Sequence, residues 1–207
     1  MKNKLPVLNE TSYLADKNID YRFYLASLLS SSFEGEKESA YFKFSSECYI
    51  YNIDYFLKKM KMNKSTFEKN TNKFLSSKVI SLDENGSIKL RVKSDNLNRY
   101  LLVKEEEIKE MLRLSSNEIK VYIAIRSLKS ISNNSKVYLS KIEMMTNLST
   151  KTITKILEKL KEKGFINYKS QKSKTIKDLK LINTVIYDFE MIIFEKIENK
   201  TSDAQEN

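Results

Sequence analysis

The order of local signals between residues 115 and 189 limits the folds available to this chain. Ser115 and Glu118 have the spacing of a capping box, which predicts that a helix follows them. Ser149 is a second helix cap, and Gly164 suits the left-handed position at which such a helix ends. The predicted elements are, in order, a helix to about Leu128, a polar loop at 130–136, a strand at 137–139, a helix at 141–146 capped by Ser140, a helix at 150–163, a strand from Phe165, a polar basic loop at 171–177 and a returning strand at 179–189.

The longer predicted helix has one apolar stripe and one basic face. The stripe has the spacing i, i+3, i+4, i+7 and comprises Ile153, Ile156, Leu157 and Leu160. The opposite face carries Lys151, Lys155 and Glu158, and its flanks carry Thr152, Thr154 and Lys159. A stripe of this kind predicts a helix that packs on a core, which leaves the basic face exposed to a partner.

Helix, short strand, helix, turn, helix and hairpin is the order of a winged helix-turn-helix. The run from Leu139 to Ile153, with Leu157, Leu160 and 163–166, resembles this motif in plasmid and phage replication proteins and in many bacterial regulators. In such families the second helix of the turn enters the major groove and the wing touches the DNA backbone or the minor groove. The resemblance implies DNA contacts from Ser149, Thr150, Lys151, Thr152, Thr154, Lys155 and Lys159 on the helix and from Lys172 and Lys174 in the wing.

The first half of the sequence repeats this plan at an offset of 86 positions. The offset carries Ser149 onto Asn63, another good helix cap. The apolar positions that match are Ile142 with Phe56, Leu148 with Met62, Ile153 with Phe67, Leu160 with Phe74, and Phe165-Ile166 with Val79-Ile80. The elements predicted for this half are helices at 21–29 and 64–76, a tight turn at 83–86, and strands at 41–44, 88–92 and 99–103, the last of which returns beside 88–92.

The long helix predicted for the first half is the weaker of the two. Asn70 and Thr71 stand where the second half has Ile156 and Leu157, so the stripe depends on Phe67, Phe74 and Leu75. The predicted DNA contacts of this half are Lys64, Ser65, Lys69 and Asn72.

The sequence therefore predicts an α+β fold, mostly helical, with two tandem winged helix-turn-helix domains. The expected boundaries are 1–103 for the first domain, 104–114 for a charged helical linker, 115–199 for the second domain and 200–207 for a disordered tail. Phe189, Ile192, Ile193 and Ile197 predict an amphipathic helix near the end of the second domain. That helix either packs on its own domain, which we favour, or forms a homodimer contact.

The basic charge is concentrated in the two predicted reading segments. The chain has a net charge of +10, and residues 58–93 and 139–182 each carry a net +7, so the remainder is acidic. Such concentration favours a polyanionic partner, and we expect double-stranded DNA. Only five of the 37 basic residues are Arg, and neither reading helix contains one. We therefore expect Thr and Asn side chains to contact the bases. A threonine methyl group suits thymine and an asparagine amide suits adenine, so we expect an A/T-rich site.

The residues that are missing argue against an enzyme. The chain has no His, one Cys and three Gly, which excludes a Ser-His-Asp triad, a zinc site of His or Cys, and a Gly-rich phosphate loop. We expect no cofactor and no metal. A nicking enzyme with a tyrosine nucleophile at Tyr49, Tyr51 or Tyr55 is the residual alternative, but no His ligand is present to support it. No run of about 20 apolar residues and no signal peptide is found, so we expect a cytoplasmic protein without membrane contact.

The resemblance implies sequence-selective DNA binding, with replication initiation at a plasmid or phage origin as the expected role. Initiators of plasmids often carry two winged-helix domains, although this chain is short for one. A transcriptional regulator of a mobile element stays open as an alternative. A third hypothesis is a protein-interaction adaptor in replisome loading that contacts replication proteins, because winged helices also bind proteins.

Overall fold

The chain has an α+β fold that divides into two compact units, Met1–Arg113 and Leu114–Asn207. The computed structural model describes residues 4–29, 31–32, 35–38, 41–44, 47–50, 57–58, 61–82, 88–91, 101–132, 136–177 and 180–203. The α+β class predicted from the sequence is confirmed. Several predicted features lie outside the described residues, namely the turn at 83–86, the matched apolar residue Phe56, and Tyr51 and Tyr55.

The N-terminal unit contains these described helices and strands: β1 (Lys4–Val7), α1 (Thr11–Leu14), α2 (Tyr21–Leu29), β2 (Ser31–Ser32), β3 (Gly35–Glu38), β4 (Tyr41–Phe44), β5 (Glu47–Ile50), α3 (Lys64–Ser76), β6 (Ile80–Leu82), β7 (Ile88–Arg91), β8 (Leu101–Lys104) and α4 (Glu105–Met111). Helices α2 and α3 have the bounds that the sequence predicted. Asn63 caps α3 as expected, because its side-chain oxygen accepts the N–H of Thr66 at 2.8 Å.

Three phenylalanines join α2 to α3 in the core of this unit. The ring of Phe23 meets Phe74 edge-on, with 5.0 Å between centroids, and lies 5.7 Å from the ring of Phe67. All three side chains are buried, whereas Leu75 is half-buried. The weaker stripe of α3 therefore buries two aromatic rings rather than four aliphatic side chains.

The sheets of the N-terminal unit contain the predicted hairpin and the predicted strand at 41–44. Strands β6 and β7 form the expected hairpin, with Ile80 opposite Leu90, and β5 lies on the other side of β7. Tyr41–Phe44 is a strand, as predicted, and it pairs with β3.

The last strand of this unit pairs elsewhere than predicted. The strand expected at 99–103 was placed beside Ile88–Val92, but β8 pairs with β1, with Val103 opposite Leu5. Val7, Leu101 and Val103 are buried, so this two-stranded sheet lies against the core. A pairing across about a hundred residues leaves no local signal in the sequence.

The predicted linker is an integral part of the N-terminal unit. The helix expected in 104–114 is present as α4, but its apolar side packs against α2, and Ile108 and Met111 are fully buried. Arg22 on α2 donates from Nε to the carbonyl of Leu112 at 3.1 Å, which fixes the end of α4. The three glutamates of the predicted linker, Glu105, Glu106 and Glu107, occupy the first turn of α4. The positive end of the helix dipole stabilises their negative charges there.

The C-terminal unit contains α5 (Ser116–Ser132), β9 (Lys136–Tyr138), α6 (Leu139–Thr146), α7 (Thr150–Glu162), β10 (Asn167–Lys177), β11 (Lys180–Glu190) and α8 (Ile192–Asp203). The order of these elements is the one predicted from the sequence. Helix α5 is one turn longer than expected. Helix α6 begins at Leu139 after Tyr138, whose side chain makes no capping bond, so the prediction that Ser140 caps this helix was wrong.

The basic segment predicted as a loop at 171–177 is strand. Every residue from Asn167 to Lys177 pairs with a residue of β11, so the hairpin has two arms of 11 residues. The backbone groups of the two strands make the ladder of an antiparallel pair, so a strand of this kind needs no apolar pattern. Strand β9 pairs with β11, which gives the strand order β10-β11-β9.

Helix α8 packs on its own unit, as we expected of the amphipathic segment near the end. The guanidinium carbon of Arg126 on α5 lies 3.5 Å from the centroid of the Phe194 ring. The helix extends to Asp203, so the tail predicted from residue 200 begins inside it, and residues 204–207 lie outside the described part of the chain.

Residues that lie 86 positions apart in the two units also share backbone conformations around the long helices. Among the described residues, positive φ angles occur at Lys61 and Asn147 before the long helices and at Lys78 and Gly164 after them. Both helix ends have the hydrogen bonds of a Schellman motif. The equivalent bonds are Val79 N–H to Phe74 O and Phe165 N–H to Leu160 O, each 2.9 Å long. The strand orders β6-β7-β5 and β10-β11-β9 correspond as well.

Lys78 and Gly164 occupy equivalent positions at the ends of α3 and α7. Introducing glycine at the first and removing it at the second are therefore expected to change stability in opposite directions. Lys78 holds φ at 55°, a strained angle for a residue with a Cβ, so Lys78→Gly is expected to stabilise the chain by about 0.5 kcal/mol. Gly164 holds φ at 73° with open space around its missing Cβ, so Gly164→Ala is expected to destabilise it by about 1 kcal/mol through backbone strain alone. Urea unfolding measures both changes. A loss of stability in Lys78→Gly would contradict the strained turn.

Candidate nucleic-acid interface

Helices α6 and α7 are joined by a turn of three residues, 147–149. Asn147 takes the left-handed conformation at φ 52°, which reverses the chain, and asparagine tolerates this region better than most residues. Ser149 caps α7, because its Oγ accepts the N–H of Thr152 at 3.3 Å. This cap, predicted from the sequence, sets the residue at which α7 begins.

The apolar stripe of α7 holds the helix against the core of its unit. All four predicted stripe residues, Ile153, Ile156, Leu157 and Leu160, are buried. Helix α5 packs against α7, and Tyr122 on α5 meets Phe165 edge-on at 5.7 Å. The opposite face of α7 is therefore fixed in direction and open to solvent.

The predicted contact residues of α7 lie on this open face and its flanks. Lys151 and Lys155 are exposed near its centre, one turn apart, and Glu158 follows them in the second half of the helix. The N-terminal half of the face is therefore basic, whereas the charges of Glu158 and the flanking Lys159 offset each other in the C-terminal half. Ser149, Thr150 and Lys159 are also exposed, whereas Thr152 and Thr154 are half-buried.

The hydroxyl groups at the start of α7 make hydrogen bonds within the protein. Thr150 Oγ1 donates to the Glu143 carboxylate on α6. Thr154 Oγ1 donates to the Thr150 carbonyl at 3.0 Å, and the hydroxyls of Ser149 and Thr152 lie 2.9 Å apart. The sequence identified these four residues but gave no sign that Glu143, one helix earlier, engages Thr150.

A groove of about 320 Å³ separates the start of α5 from the face of α7. Its lining comprises Ser115, Asn117, Glu118, Lys151, Thr152, Lys155, Ile156 and Lys159. Three of these residues are lysines one turn apart on α7, so the groove is basic along one wall. Ser115 and Asn117 were not predicted as site residues, because a capping box marks where a helix begins but not what lies beside it.

Glu118 is the one carboxylate that lines this groove, and its charge is balanced. Its Oε1 and Oε2 both lie 2.9 Å from Nζ of Lys163, and Oε2 accepts the N–H of Ser115 at 2.7 Å. Burial alone would raise the pKa of the Glu118 carboxyl, but the hydrogen bonds from Ser115 and Lys163 outweigh it, so this pKa is lowered. The carboxylate stays ionised and is paired with Lys163, which does not line the groove.

The hairpin carries the predicted lysines of the second contact region. Lys172 and Lys174 are exposed and lie opposite Val185 and Asn183. They share a face of β10 with Tyr168, whose ring packs edge-on against Tyr187 at 5.3 Å. The base of the hairpin is thus anchored by aromatic packing, and its outer part offers two cations.

The predicted contacts of the N-terminal unit form a similar but smaller surface. Ser65, Lys69 and Asn72 are exposed on the side of α3 opposite Phe67 and Phe74, and Lys64 is exposed at the first position of the helix.

The described residues contain no group of three acidic, Cys or His side chains that could hold a metal ion. In the same part of the chain, no helix is both long and apolar enough to span a bilayer. Comparison with protein-family models, with curated proteins and with solved structures finds no match.

Proposed function

We propose that the C-terminal unit is a winged helix-turn-helix that binds duplex DNA. Helix α7 enters the major groove, and the β10–β11 hairpin is the wing. The observation that carries this proposal is the face of α7 that displays Lys151 and Lys155 opposite a buried stripe, directly after a three-residue turn. Recognition helices of this motif contact base edges with their N-terminal residues, and the N-terminal half of α7 is its basic half.

The charges around α7 suit a phosphate backbone. Lys151, Lys155 and Lys159 line the groove beside α5, and the single carboxylate of that groove is bound to Lys163. Lys172 and Lys174 extend the basic surface along the hairpin. A lysine ammonium is a flexible point charge that pairs with phosphate oxygens, so these residues supply affinity rather than base selection.

We further propose that the N-terminal unit is a second winged helix-turn-helix with α3 as its recognition helix. The support is the repeated backbone: equivalent caps at Asn63 and Ser149, equivalent left-handed residues at both ends of the turn and helix, and equivalent strand orders. The chain then carries two DNA-reading units, α3 being the weaker reader because it displays fewer cations.

A steep dependence of affinity on salt tests DNA binding directly. If each unit neutralises about four phosphates, log affinity falls with log salt at a slope of about −4 for one unit and about −7 for both. Titration of a labelled duplex with the full chain at several salt concentrations measures the slope. Weak binding without a salt slope would contradict the proposal, and tight capture of one replication protein in its place would favour an adaptor.

Replication initiation is the role we propose within DNA binding, because plasmid initiators, which the C-terminal unit resembles, often carry two winged-helix domains. Footprinting of the full chain on the DNA that flanks its gene tests this role. Protection of direct repeats supports an origin. Protection of one short palindrome over the promoter contradicts initiation and indicates a transcriptional regulator.

A further inference from the structure

Three of the four hydroxyl protons at the start of α7 are used inside the protein. Thr150 donates to the Glu143 carboxylate, and Thr154 donates to the carbonyl of Thr150. The Ser149 and Thr152 hydroxyls bond each other, which uses a third proton. Hydrogen bonding therefore engages the hydroxyls of Thr150, Thr152 and Thr154 within the protein, and the methyl group is the part of each side chain that remains for a ligand.

The open face of α7 consequently combines two kinds of group. Successive residues of a helix are about 100° apart, so Lys151 and Lys155 lie at the centre, Thr150 and Thr154 on one flank and Thr152 on the other. No Asp, Glu, Asn or Gln occurs between 150 and 157, so the first two turns lack a carboxylate or amide acceptor. What this half of the helix offers to DNA is ammonium donors flanked by methyl groups.

Thymine is the base whose major-groove edge complements such a surface. It presents the O4 acceptor and the C5 methyl group, whereas adenine and cytosine present amino donors that need an acceptor on the protein. Guanine presents two acceptors but no methyl group. Apolar contact between a threonine methyl and the thymine methyl removes both from water, while a neighbouring ammonium donates to O4.

We propose that α7 selects thymine through its C5 methyl group, with Thr152 and Thr154 as the specificity-determining residues. This inference rests on the proposed DNA binding and specifies which base edge is read.

Two alternating polymers that differ in one methyl group provide the test. Poly(dA-dU) lacks the C5 methyl of poly(dA-dT) and keeps its base pairs and phosphates. The full chain is expected to bind poly(dA-dU) about fourfold more weakly for each thymine methyl group that α7 buries on poly(dA-dT). Poly(dG-dC) with 5-methylcytosine restores a methyl at the same place, and it is expected to bind more tightly than unmethylated poly(dG-dC).

The variant Thr152→Ser with Thr154→Ser removes two methyl groups and keeps both hydroxyls. It is expected to bind poly(dA-dT) as weakly as wild type binds poly(dA-dU), with no further loss on the uracil polymer. Thr11→Ser, an exposed threonine on α1, is the matched control and is expected to keep the wild-type ratio.

Equal wild-type affinity for the thymine and uracil polymers, together with a steep salt slope, would overturn thymine selection and leave DNA binding intact. Equal losses of the double variant on both polymers would also overturn it, since the threonines would then act through the helix. Absence of salt-dependent binding to either polymer would overturn the proposed function itself.

Discussion

Replacing Lys151 and Lys155 together by alanine is expected to weaken duplex binding roughly 60-fold at about 0.1 M salt. Each lysine that neutralises a phosphate contributes a slope of about −0.9 in log affinity against log salt, so removing two lowers the magnitude of the slope by about two. Both side chains are exposed, and the stripe that packs α7 is untouched, so the fold is expected to persist. Titration of a labelled duplex at several salt concentrations measures affinity and slope together.

A matched pair of lysines provides the control for this variant. Lys17 and Lys196 are exposed like the two lysines of α7 but lie outside both candidate surfaces, so their joint replacement by alanine is expected to leave the slope almost unchanged. Lys69→Ala on α3 is expected to cost less than Lys151→Ala or Lys155→Ala. An unchanged slope in the α7 variant would place the DNA-binding surface elsewhere, and a larger effect of Lys69 would make the N-terminal unit the principal reader.

Local signals allowed the sequence to predict where the helices begin and end. The caps at Asn63, Ser115 and Ser149 form as expected, and Gly164 ends α7 in the left-handed conformation. Each of these signals acts within four residues, through side chains that satisfy the unpaired backbone groups of a helix end. The apolar stripe of α7 is equally local, because a period of about 3.6 residues determines which side chains share a face.

Strand pairing could not be predicted in the same way. The partner of β8 lies about a hundred residues earlier in the chain, and the polar arm of β10 becomes strand only because β11 returns beside it. A ladder depends on a partner rather than on the residues of one strand. The charged helix α4 shows the same limit, since the packing of Ile108 and Met111 against α2 makes it part of a unit rather than a linker.

The sequence predicted the lysines of the candidate site but not the hydrogen bonds around them. The sequence pattern identified Lys151 and Lys155 because they lie opposite the apolar stripe. It did not reveal that Glu143 engages Thr150, or that Asn117 on α5 lines a groove with the α7 lysines. These neighbours come from separate helices, and only the packing of α5, α6 and α7 brings them together. The chemistry of the reading surface therefore depends on tertiary structure.

Glu118→Ala is expected to destabilise the C-terminal unit by about 1–3 kcal/mol. The Glu118 carboxylate accepts the N–H of Ser115 and binds Nζ of Lys163, so its removal leaves a helix N–H and a cation without their partner. Urea unfolding followed by far-ultraviolet circular dichroism measures the loss, and hydrogen exchange at the α5 amides assigns it to this unit.

A second variant separates the capping bond from the charge. Glu118→Gln keeps an oxygen that can accept the Ser115 N–H but loses the ion pair, and Lys163 is 40% exposed, so screening limits the loss to about 0.5 kcal/mol. The folded-state pKa of Glu118 lies below the value of about 4.3 for an unfolded glutamate. The stability from its charge is therefore present above that pH and is lost as pH falls through the folded-state pKa.

The difference between wild type and Glu118→Gln is accordingly expected to be constant near neutral pH and to shrink in acid. Lys163→Ala removes the same ion pair from the other side and is expected to match Glu118→Gln near neutral pH. If Glu118→Gln proved as damaging as Glu118→Ala, charge rather than the capping bond would hold the start of α5. A difference that grew as pH fell would contradict the lowered pKa, because an ionised carboxylate that stabilises the fold can only lose that effect on protonation.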